Sequence, residues 1–330
     1  MSIRSSIFAA ATAMVASVAI FSSTAIAETL RLAHHHAVGG QVDTAANKFA
    51  ELVKEYSNGD ITIQVFPAAQ LGQEREALDL VNQGAIDISI TSTPILDKLF
   101  PPMASTSAPL IFKGWEHARK VYKGEYGQAL VAGVRDNSDV EILTFIHLGF
   151  RDLMFKGDAP LTLAGIAGKR MRSPENFVWI RMFELMGAKP TPVTWGEVYT
   201  AMQTGVAEGF DTSAQAALDM KFNEVSNSLL KTQHMFGSML FAMNENKFAA
   251  LSPDKQELLK KAAADTGDYA DAENQKLEAE AYSRLEAAGI KILEPTNPQE
   301  WRDAMGPLQA EIAEKNPGAD KFIEMVTSVE

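Results

Sequence analysis

A single long helix is predicted near the C-terminus, and it limits the folds that this chain can adopt. Ser252 and Pro253 form a typical helix start, with serine at the cap and proline in the first turn. The predicted helix extends from Asp254 to Ala288, which is roughly 50 Å at 1.5 Å per residue. Because that length exceeds the width of one small lobe, we expect the helix to cross two lobes.

Strand and helix patterns alternate in the N-terminal part of the chain. Residues 30–34, 61–66 and 86–91 have the spacing of strands, and residues 42–56 and 74–82 have the spacing of helices. The alternation predicts an α/β fold with parallel sheet and helices on its faces. Elsewhere the sequence predicts an irregular segment at 94–109, helices at 115–122, 125–136, 176–186, 195–203, 213–222, 299–313 and 320–326, and strands at 141–147, 151–156, 169–172, 189–193, 229–234, 238–242 and 291–293.

One unit of helix, glycine and strand is similar in sequence to a second unit later in the chain. Aligning Gly84 with Gly205 also aligns Asp87 with Glu208. The match predicts equivalent units in two similar lobes. The alternative is that any amphipathic helix ending in glycine produces this pattern.

The first 27 residues have the pattern of a cleaved secretory signal peptide. One positive charge, Arg4, precedes an apolar run from Ile7 to Phe21, and the ending Ala25-Ile26-Ala27 predicts cleavage before Glu28. The apolar run is short for an uncleaved anchor, which needs roughly twenty residues. The sequence contains no cysteine, so it predicts neither disulfides nor a lipidated N-terminus. We therefore expect a protein that is free in the periplasm of a Gram-negative bacterium. We also expect it to be a monomer.

The charge balance restricts the partners. Without residues 1–27 the chain has 29 basic and 42 acidic residues. This negative charge argues against nucleic acid and anionic lipid as partners. It does not exclude an anionic ligand, because a local pair of arginines can dominate a small enclosed site.

Motifs for catalysis are absent from the sequence. It contains no glycine-rich phosphate loop, GxSxG motif, HExxH motif or cysteine nucleophile, so we expect no enzyme activity and no cofactor. His34, His35 and His36 are candidate metal ligands, but neighbouring strand side chains point to opposite faces and only the outer two could share an ion. The favoured prediction places the histidines at the C-terminal end of the first strand, where open parallel sheets bind ligands.

Two arginines on short extended segments are candidates for binding an anion. Arg151 and Arg172 lie twenty-one residues apart, each directly preceded by an apolar residue. A guanidinium group matches a carboxylate with two parallel hydrogen bonds and stays charged when partly buried. The alternative for either arginine is a structural ion pair with an acidic side chain. Trp195 begins a predicted helix, where it either lines a pocket or packs between lobes.

Four segments give the chain a resemblance to a known family. In their order and spacing, the chain resembles the DctP-like solute-binding proteins of tripartite ATP-independent periplasmic (TRAP) transporters, over about residues 28 to 325. The four segments are FPAAQLGQERE (66–76), GAIDIS (84–89), LAGIAGKRMRSPEN (163–176) and GAKPTPVTWGEVYTAMQTGVAEG (187–209).

The resemblance implies a two-lobed binding protein that closes around its ligand, with mixed sheets flanked by helices and a long helix spanning both lobes. Residues 28–150 are expected to form mainly the first lobe and residues 151–237 mainly the second. Residues 238–330 then return as segments shared by both, with the long helix and the C-terminal helices.

The resemblance also implies roles for individual residues. An arginine at the position of Arg172 pairs with the ligand carboxylate in that family, and Arg151 matches a second arginine found in many members. Many members have an asparagine where this chain reads Asp211-Thr212-Ser213. This difference argues against a plain dicarboxylate or a sialic acid, and hydroxyl or amino groups are expected on the ligand as partners of Asp211 or Glu74. The remaining implied ligand contacts are Trp195, Thr212, Glu74, His35 and Asn176.

The sequence therefore predicts the periplasmic solute-binding subunit of a TRAP transporter. Its partners would be a small organic acid, such as a hydroxy or sugar acid, and the membrane permease subunits. A ligand-binding sensor subunit of a signalling system is an alternative with the same cleft. A metal-dependent periplasmic hydrolase that uses His34 to His36 is the second alternative.

Overall fold

A computed structural model describes residues 28–330, so the predicted signal peptide lies outside the described residues. The strands are β1 Glu28–His34, β2 Ile61–Phe66, β3 Ile88–Ser92, β4 Val140–Phe155, β5 Arg170–Ser173, β6 Lys189–Pro192, β7 Gly209–Ser213, β8 Ser228–Asn244 and β9 Lys291–Leu293. The helices are α1 Gln41–Tyr56, α2 Glu74–Asn82, α3 Trp115–Lys123, α4 Glu125–Asn137, α5 Phe177–Leu185, α6 Val198–Thr204, α7 Ala214–Asp219, α8 Glu245–Ala250, α9 Pro253–Ala287, α10 Pro298–Met305, α11 Leu308–Lys315 and α12 Ala319–Thr327.

The nine strands form one mixed sheet with a nearly symmetric order. Eight of them follow the order β2-β1-β3-β8-β4-β7-β5-β6, and β9 pairs with β8. In each half, the first strand of a β-α-β-α-β unit lies between its two parallel partners, β2 and β3 around β1 and β6 and β7 around β5. The long antiparallel strands β4 and β8, which we call the crossing strands, join the halves. The predicted α/β class with a mixed sheet is confirmed.

Equivalent hydrogen bonds show that the two similar sequence segments, aligned at Gly84 and Gly205, form corresponding structural units. Asp87, just before β3, accepts a hydrogen bond from the backbone N–H of Arg31 at 2.7 Å. Glu208, just before β7, accepts the same bond from Arg170 at 3.1 Å. The aligned glycines that precede these acids both have positive φ angles, 73° and 79°. These angles favour glycine after a helix, which explains the repeated pattern.

The predicted long helix is confirmed as α9. The Ser252 hydroxyl caps it by accepting a hydrogen bond from the backbone N–H of Lys255 at 3.4 Å. The helix packs on α1 in the first half, on α7 in the second half and on crossing strand β4. Its buried side chains are mostly small or aliphatic, such as Leu259, Ala263 and Leu285. The helix thus buries one long face against both halves of the sheet.

The crossing strands differ from the prediction of four separate strands. Residues 141–147 and 151–156 belong to continuous β4, and residues 229–234 and 238–242 belong to continuous β8. The pairing shifts register at three places, including between His147 and Gly149. These β-bulges let the strands bend and continue through glycine-containing positions that look like strand ends in the sequence.

Several predicted helices are shorter or divided in the structure. The helix predicted at 299–313 is two helices, α10 and α11, separated at Gly306 and Pro307. The segment predicted as irregular contains the 3₁₀ helices Thr93–Lys98 and Pro101–Ser107. Two further 3₁₀ turns, Trp195–Glu197 and Phe222–Glu224, replace the start of one predicted helix and the end of another.

The apolar core lies on both faces of the sheet. One cluster fills the space between α1, the first-half strands and α9, and Phe49 and Phe241 meet edge to face within it at 5.3 Å between ring centroids. A second cluster joins α6, α7 and the end of α9, with Phe210 and Phe222 at its centre. Within residues 28–330, no helix combines the length and apolar character required to cross a bilayer.

Candidate ligand-binding site

A cavity of about 460 Å³ lies between the two halves of the sheet. The carboxyl ends of one pair of parallel strands from each half lead into it. His35 follows β1, Ser92 ends β3, and Ser213 ends β7, while Arg172 lies near the end of β5. Ligand sites in open α/β sheets form at the carboxyl ends of strands, so this cavity is the candidate site.

Most of the predicted site residues come together around this cavity. The structure places seven of the eight in its wall, whereas Asp211 lies behind it. The seven are Arg172, Arg151, Trp195, Thr212, Glu74, His35 and Asn176.

The Arg172 side chain is the buried cation of the cavity. It is 3% exposed, and its Nε donates a hydrogen bond to the carbonyl oxygen of Val193 at 2.8 Å. Its guanidinium carbon lies 5.6 Å from the Trp195 ring centroid. Burial lowers the pKa of Arg172 to about 10, and the charge of Asp211 opposes that change. Arg172 therefore stays protonated at neutral pH, although no residue in 28–330 forms a salt bridge with it.

Arg151 also faces the cavity, but it already has an acidic partner. Its Nε donates to Asp211 Oδ2 at 2.5 Å, and its Nη2 donates to the Asp211 carbonyl oxygen at 2.7 Å. The prediction that Asp211 faces the ligand is corrected here, because its carboxylate holds Arg151 from behind. Thr212, the next residue along β7, lines the cavity, in line with the tendency of adjacent strand side chains to point to opposite faces.

Further contacts fix the buried Asp211 carboxylate. Trp179 Nε1 donates to Asp211 Oδ2 at 3.0 Å, and the His234 ring lies 3.5 Å from the same oxygen. Burial alone would raise the pKa of Asp211, but the charge of Arg151 and hydrogen bonds from His234 and Arg151 hold it well below its usual range. Asp211 is therefore ionised and neutralises Arg151 within the protein.

Glu74 supplies a negative charge on the first-half side of the cavity. Its Oε1 accepts from Ser92 N at 2.6 Å, from the Ser92 hydroxyl and from the Thr91 hydroxyl at 3.2 Å. Burial alone would raise its pKa, but nearby His35 and the Ser92 hydrogen bonds lower it. Among residues 28–330, no donor bonds to the other carboxylate oxygen, Oε2, which leaves that oxygen for another partner.

The histidines after β1 line the cavity as neutral rings. Burial lowers the pKa of His35 and holds that of His36 well below its usual range. The His36 ring lies 5.5 Å from the Trp195 ring, centroid to centroid, which joins the two sides of the cavity. Our sequence-based prediction did not include His36 among the ligand contacts. Its position at the end of β1, beside His35, was the available signal.

Asn176 connects the two sides at another point. Its Oδ1 caps α5 by accepting from Val178 N at 2.9 Å, and its Nδ2 donates to Asp97 Oδ2 at 3.2 Å.

The Thr212 hydroxyl is buried and has no hydrogen-bond partner within residues 28–330. Thr212 can therefore bond to a molecule in the cavity.

The crossing strands form an apolar part of the wall that the sequence did not reveal. Leu148 from β4 and Phe236 and Met239 from β8 line the cavity together with Ser238. The sequence suggested breaks in these strands, so their central residues were assigned to no surface.

His34 does not take part in the cavity. Its Nε2 lies 3.1 Å from Asp43 Oδ1 at the start of α1, and burial lowers its pKa. Within the described chain, no three His, Asp or Glu side chains are grouped so that they could hold a metal ion. His34 therefore packs against α1 and is not part of the cavity wall.

Comparison with known proteins agrees with this architecture. Residues 32–316 match the family model for bacterial extracellular solute-binding proteins, family 7. The chain belongs to this family. The family-7 assignment confirms the resemblance inferred from the sequence motifs, and it covers most of the chain.

Several relatives of this family-7 protein are named as periplasmic binding proteins. One is the 2,3-diketo-L-gulonate-binding periplasmic protein YiaO of Escherichia coli, 27% identical over 88% of this chain and 89% of YiaO. A TRAP periplasmic solute-binding protein from Roseobacter denitrificans, solved with β-D-glucuronate, has a TM-score of 0.87 and 27% identity, covering 92% and 100% of the two chains. A second Roseobacter denitrificans protein, solved with bound L-galactonate, has a TM-score of 0.84 and 27% identity. The match covers 89% of this chain and 98% of that protein. The chain is thus a TRAP-type periplasmic solute-binding protein with the two-lobed fold.

Proposed function

We propose that this protein captures a small organic acid in the cavity and delivers it to the membrane subunits of a TRAP permease. The observation that carries the proposal is the Arg172 guanidinium, which is buried in the cavity wall without an acidic partner among residues 28–330. An unpaired buried charge is costly. A ligand carboxylate that completes the pair removes this cost, and the water-excluding cavity strengthens the bond.

The other cavity residues fit an acid with several hydroxyl groups. The free oxygen of Glu74 accepts hydrogen bonds, the Thr212 hydroxyl both donates and accepts, and Trp195 offers an apolar face for a carbon skeleton. Arg151 is a second donor beside Arg172. Diketogulonate, glucuronate and galactonate, named for the relatives, are acids of this kind and the first ligands to test.

Closure of the lobes completes the proposed capture step. We assign residues 28–150 mainly to the first lobe, residues 151–237 mainly to the second, and residues 238–330 to segments shared by both. The contacts between His36 and Trp195 and between Asn176 and Asp97 join the lobes on either side of the cavity. A ligand held by Arg172 and Glu74 would bridge the same gap and favour the closed state.

Calorimetry with matched arginine variants tests the proposal. Arg172→Ala should weaken binding of the acid by about 100-fold or more, because it removes a charge-assisted pair. Arg170→Ala is the control, since Arg170 lies on the same strand but is exposed and paired with Glu208 at 3.2 Å. Equal affinities of the Arg172 variant and wild type would refute the proposed role of Arg172.

A further inference from the structure

The charges around the cavity fall into two groups. One group contains the half-buried Arg75 and the exposed Lys98, Glu175 and Glu197, so its two positive and two negative charges balance. The second group contains the buried Arg172 and Asp211 and the half-buried Arg151 and Glu74. It determines the net charge that a ligand meets beside Arg172 after the ligand has lost its water.

Within the described part of the chain, this second group leaves one positive charge without a counter-ion. Arg172 has no acidic partner among residues 28–330, whereas Arg151 is paired with Asp211 through its side chain and its carbonyl oxygen. Glu74 adds a negative charge in the cavity wall. The neutral rings of His35 and His36 add no positive charge at neutral pH.

We infer that the cavity accepts acids with a single carboxylate and rejects acids with two, and that Asp211 sets this limit by neutralising Arg151. The inference rests on the proposed function, since it takes the first carboxylate to bind at Arg172. It identifies Asp211 as a positioning residue that acts on the ligand through Arg151.

A second carboxylate would be unfavourable for two physical reasons. It would lose its water without gaining an unpaired cation, because Arg151 can still donate a hydrogen bond but contributes no net charge. It would also share the cavity with the ionised Glu74, and like charges repel strongly where water is excluded. A hydroxyl group meets neither cost, and it can donate to the free oxygen of Glu74.

Pairs of acids with the same number of carbons provide the test. The pairs are D-erythronate with meso-tartrate and D-gluconate with D-glucarate, plus L-galactonate with galactarate. Each pair differs at the terminal carbon that carries the second carboxylate. For each pair that binds, calorimetry should give an affinity at least about 100-fold higher for the monocarboxylate. Equal affinities within a pair would overturn the inference, and they would leave the Arg172 proposal intact if Arg172→Ala still abolished binding.

Substitution of Asp211 tests the cause of the discrimination. Asp211→Asn keeps an oxygen for Arg151 and Trp179 but removes the charge, so the preference for the monocarboxylate should fall about tenfold. Asp87→Asn is the control, because Asp87 is a buried acid outside the cavity, bonded to Lys247 and to the Arg31 backbone. An unchanged preference in a folded Asp211→Asn protein would contradict the role of Asp211.

A second variant covers the case in which Asp211→Asn does not fold. Glu74→Gln removes the other negative charge of this group, while its oxygen can still accept from Ser92. It should also reduce the preference for the monocarboxylate, by about tenfold. If the wild-type ratio persists in Glu74→Gln, charge is not the basis of the selection and the inference fails.

Discussion

The Glu278 carboxylate on α9 accepts a hydrogen bond from the backbone N–H of Phe150 at 2.6 Å, where crossing strand β4 is bulged. Asp271 accepts from the His147 backbone N–H at 2.9 Å, and Asn274 donates to the His147 carbonyl oxygen at 2.8 Å. Three side chains on one face of the long helix thus satisfy backbone groups of the bulged strand. The helix and the bend in the sheet are therefore coupled directly.

Replacement of Gly149 should strongly destabilise the protein. Gly149 has a φ angle of 92°, and a Cβ atom there would collide with the Glu278 carboxylate. We expect Gly149→Ala to lower the free energy of unfolding by about 3 kcal/mol in chemical denaturation. Gly289→Ala is the control, because Gly289 has the same φ with open space around it, and it should cost only about 1 kcal/mol. Equal losses for the two variants would show that contact with Glu278 is unimportant.

Asp152 should make stability depend on pH around neutrality. It accepts hydrogen bonds from Gln233 N at 2.9 Å and from the Tyr282 hydroxyl at 2.7 Å, with Glu278 and Lys231 nearby. Burial raises the pKa of Asp152 to about 7. Between about pH 4 and pH 7, the folded state therefore keeps a proton that the unfolded state has already released. The stability that this proton contributes falls as pH rises through that window, and it is lost above about pH 7.

The Asp152→Asn variant isolates that contribution. It should be more stable than wild type at pH 8 by on the order of 2 kcal/mol, and the difference should shrink towards pH 4. Urea denaturation of both proteins across this range measures it. A difference that is constant with pH would mean that Asp152 does not titrate in the folded protein.

Asn176→Asp should oppose closure without removing the helix cap. An aspartate can still accept from Val178 N, but its charge would face Asp97, whose pKa burial already raises. We expect ligand affinity to fall about tenfold and to recover partly in high salt, with stability nearly unchanged. Adding Asp97→Asn should restore the affinity, since it removes the repulsion. If the double variant does not regain ligand affinity, repulsion from Asp97 is not the cause of the loss.

Trp195→Ala should weaken ligand binding more than folding. The Trp195 indole packs on His36 and meets Phe222 edge to face at 5.2 Å, in a wall that is open to the cavity. Loss of its face should lower affinity about tenfold by calorimetry. Tyr199→Ala removes a half-buried aromatic one turn later, bonded to Glu224 outside the cavity wall, and should leave affinity unchanged. Similar affinity losses in both variants would indicate a general loosening of this helix.

Local sequence patterns were sufficient to predict the secondary-structure elements that repeat or that have strong helix caps. Ser252 and Pro253 marked the start of α9 to within one residue, and the similar segments aligned at Gly84 and Gly205 identified two equivalent units. Both signals depend on local backbone chemistry, which a single sequence displays. The crossing strands were divided wrongly because a bulge around Gly149 looks like a strand end when its partner strand is unknown.

The sequence predicted most of the residues of the candidate site but not the contacts between their side chains. Family motifs and strand ends located Arg172, Glu74 and His35, all of which line the cavity. The ion pair between Arg151 and Asp211 joins two strands sixty residues apart, and its geometry depends on their register. Composition and spacing contain no record of that register. Strand alternation alone could have warned that Asp211 and Thr212 face opposite ways.

The position of β8 between β3 and β4 has a consequence for how the chain acquires its structure. Strand β3 pairs with β8 across about 150 residues, from Ile88 to Met243, so the first half of the sheet remains incomplete until nearly three-quarters of the chain exists. Contacts of such long range make folding slow and late. The two lobes are thus not sequential folding units, and a nascent chain shorter than about 245 residues has an open sheet edge that its own later segment covers in the finished protein.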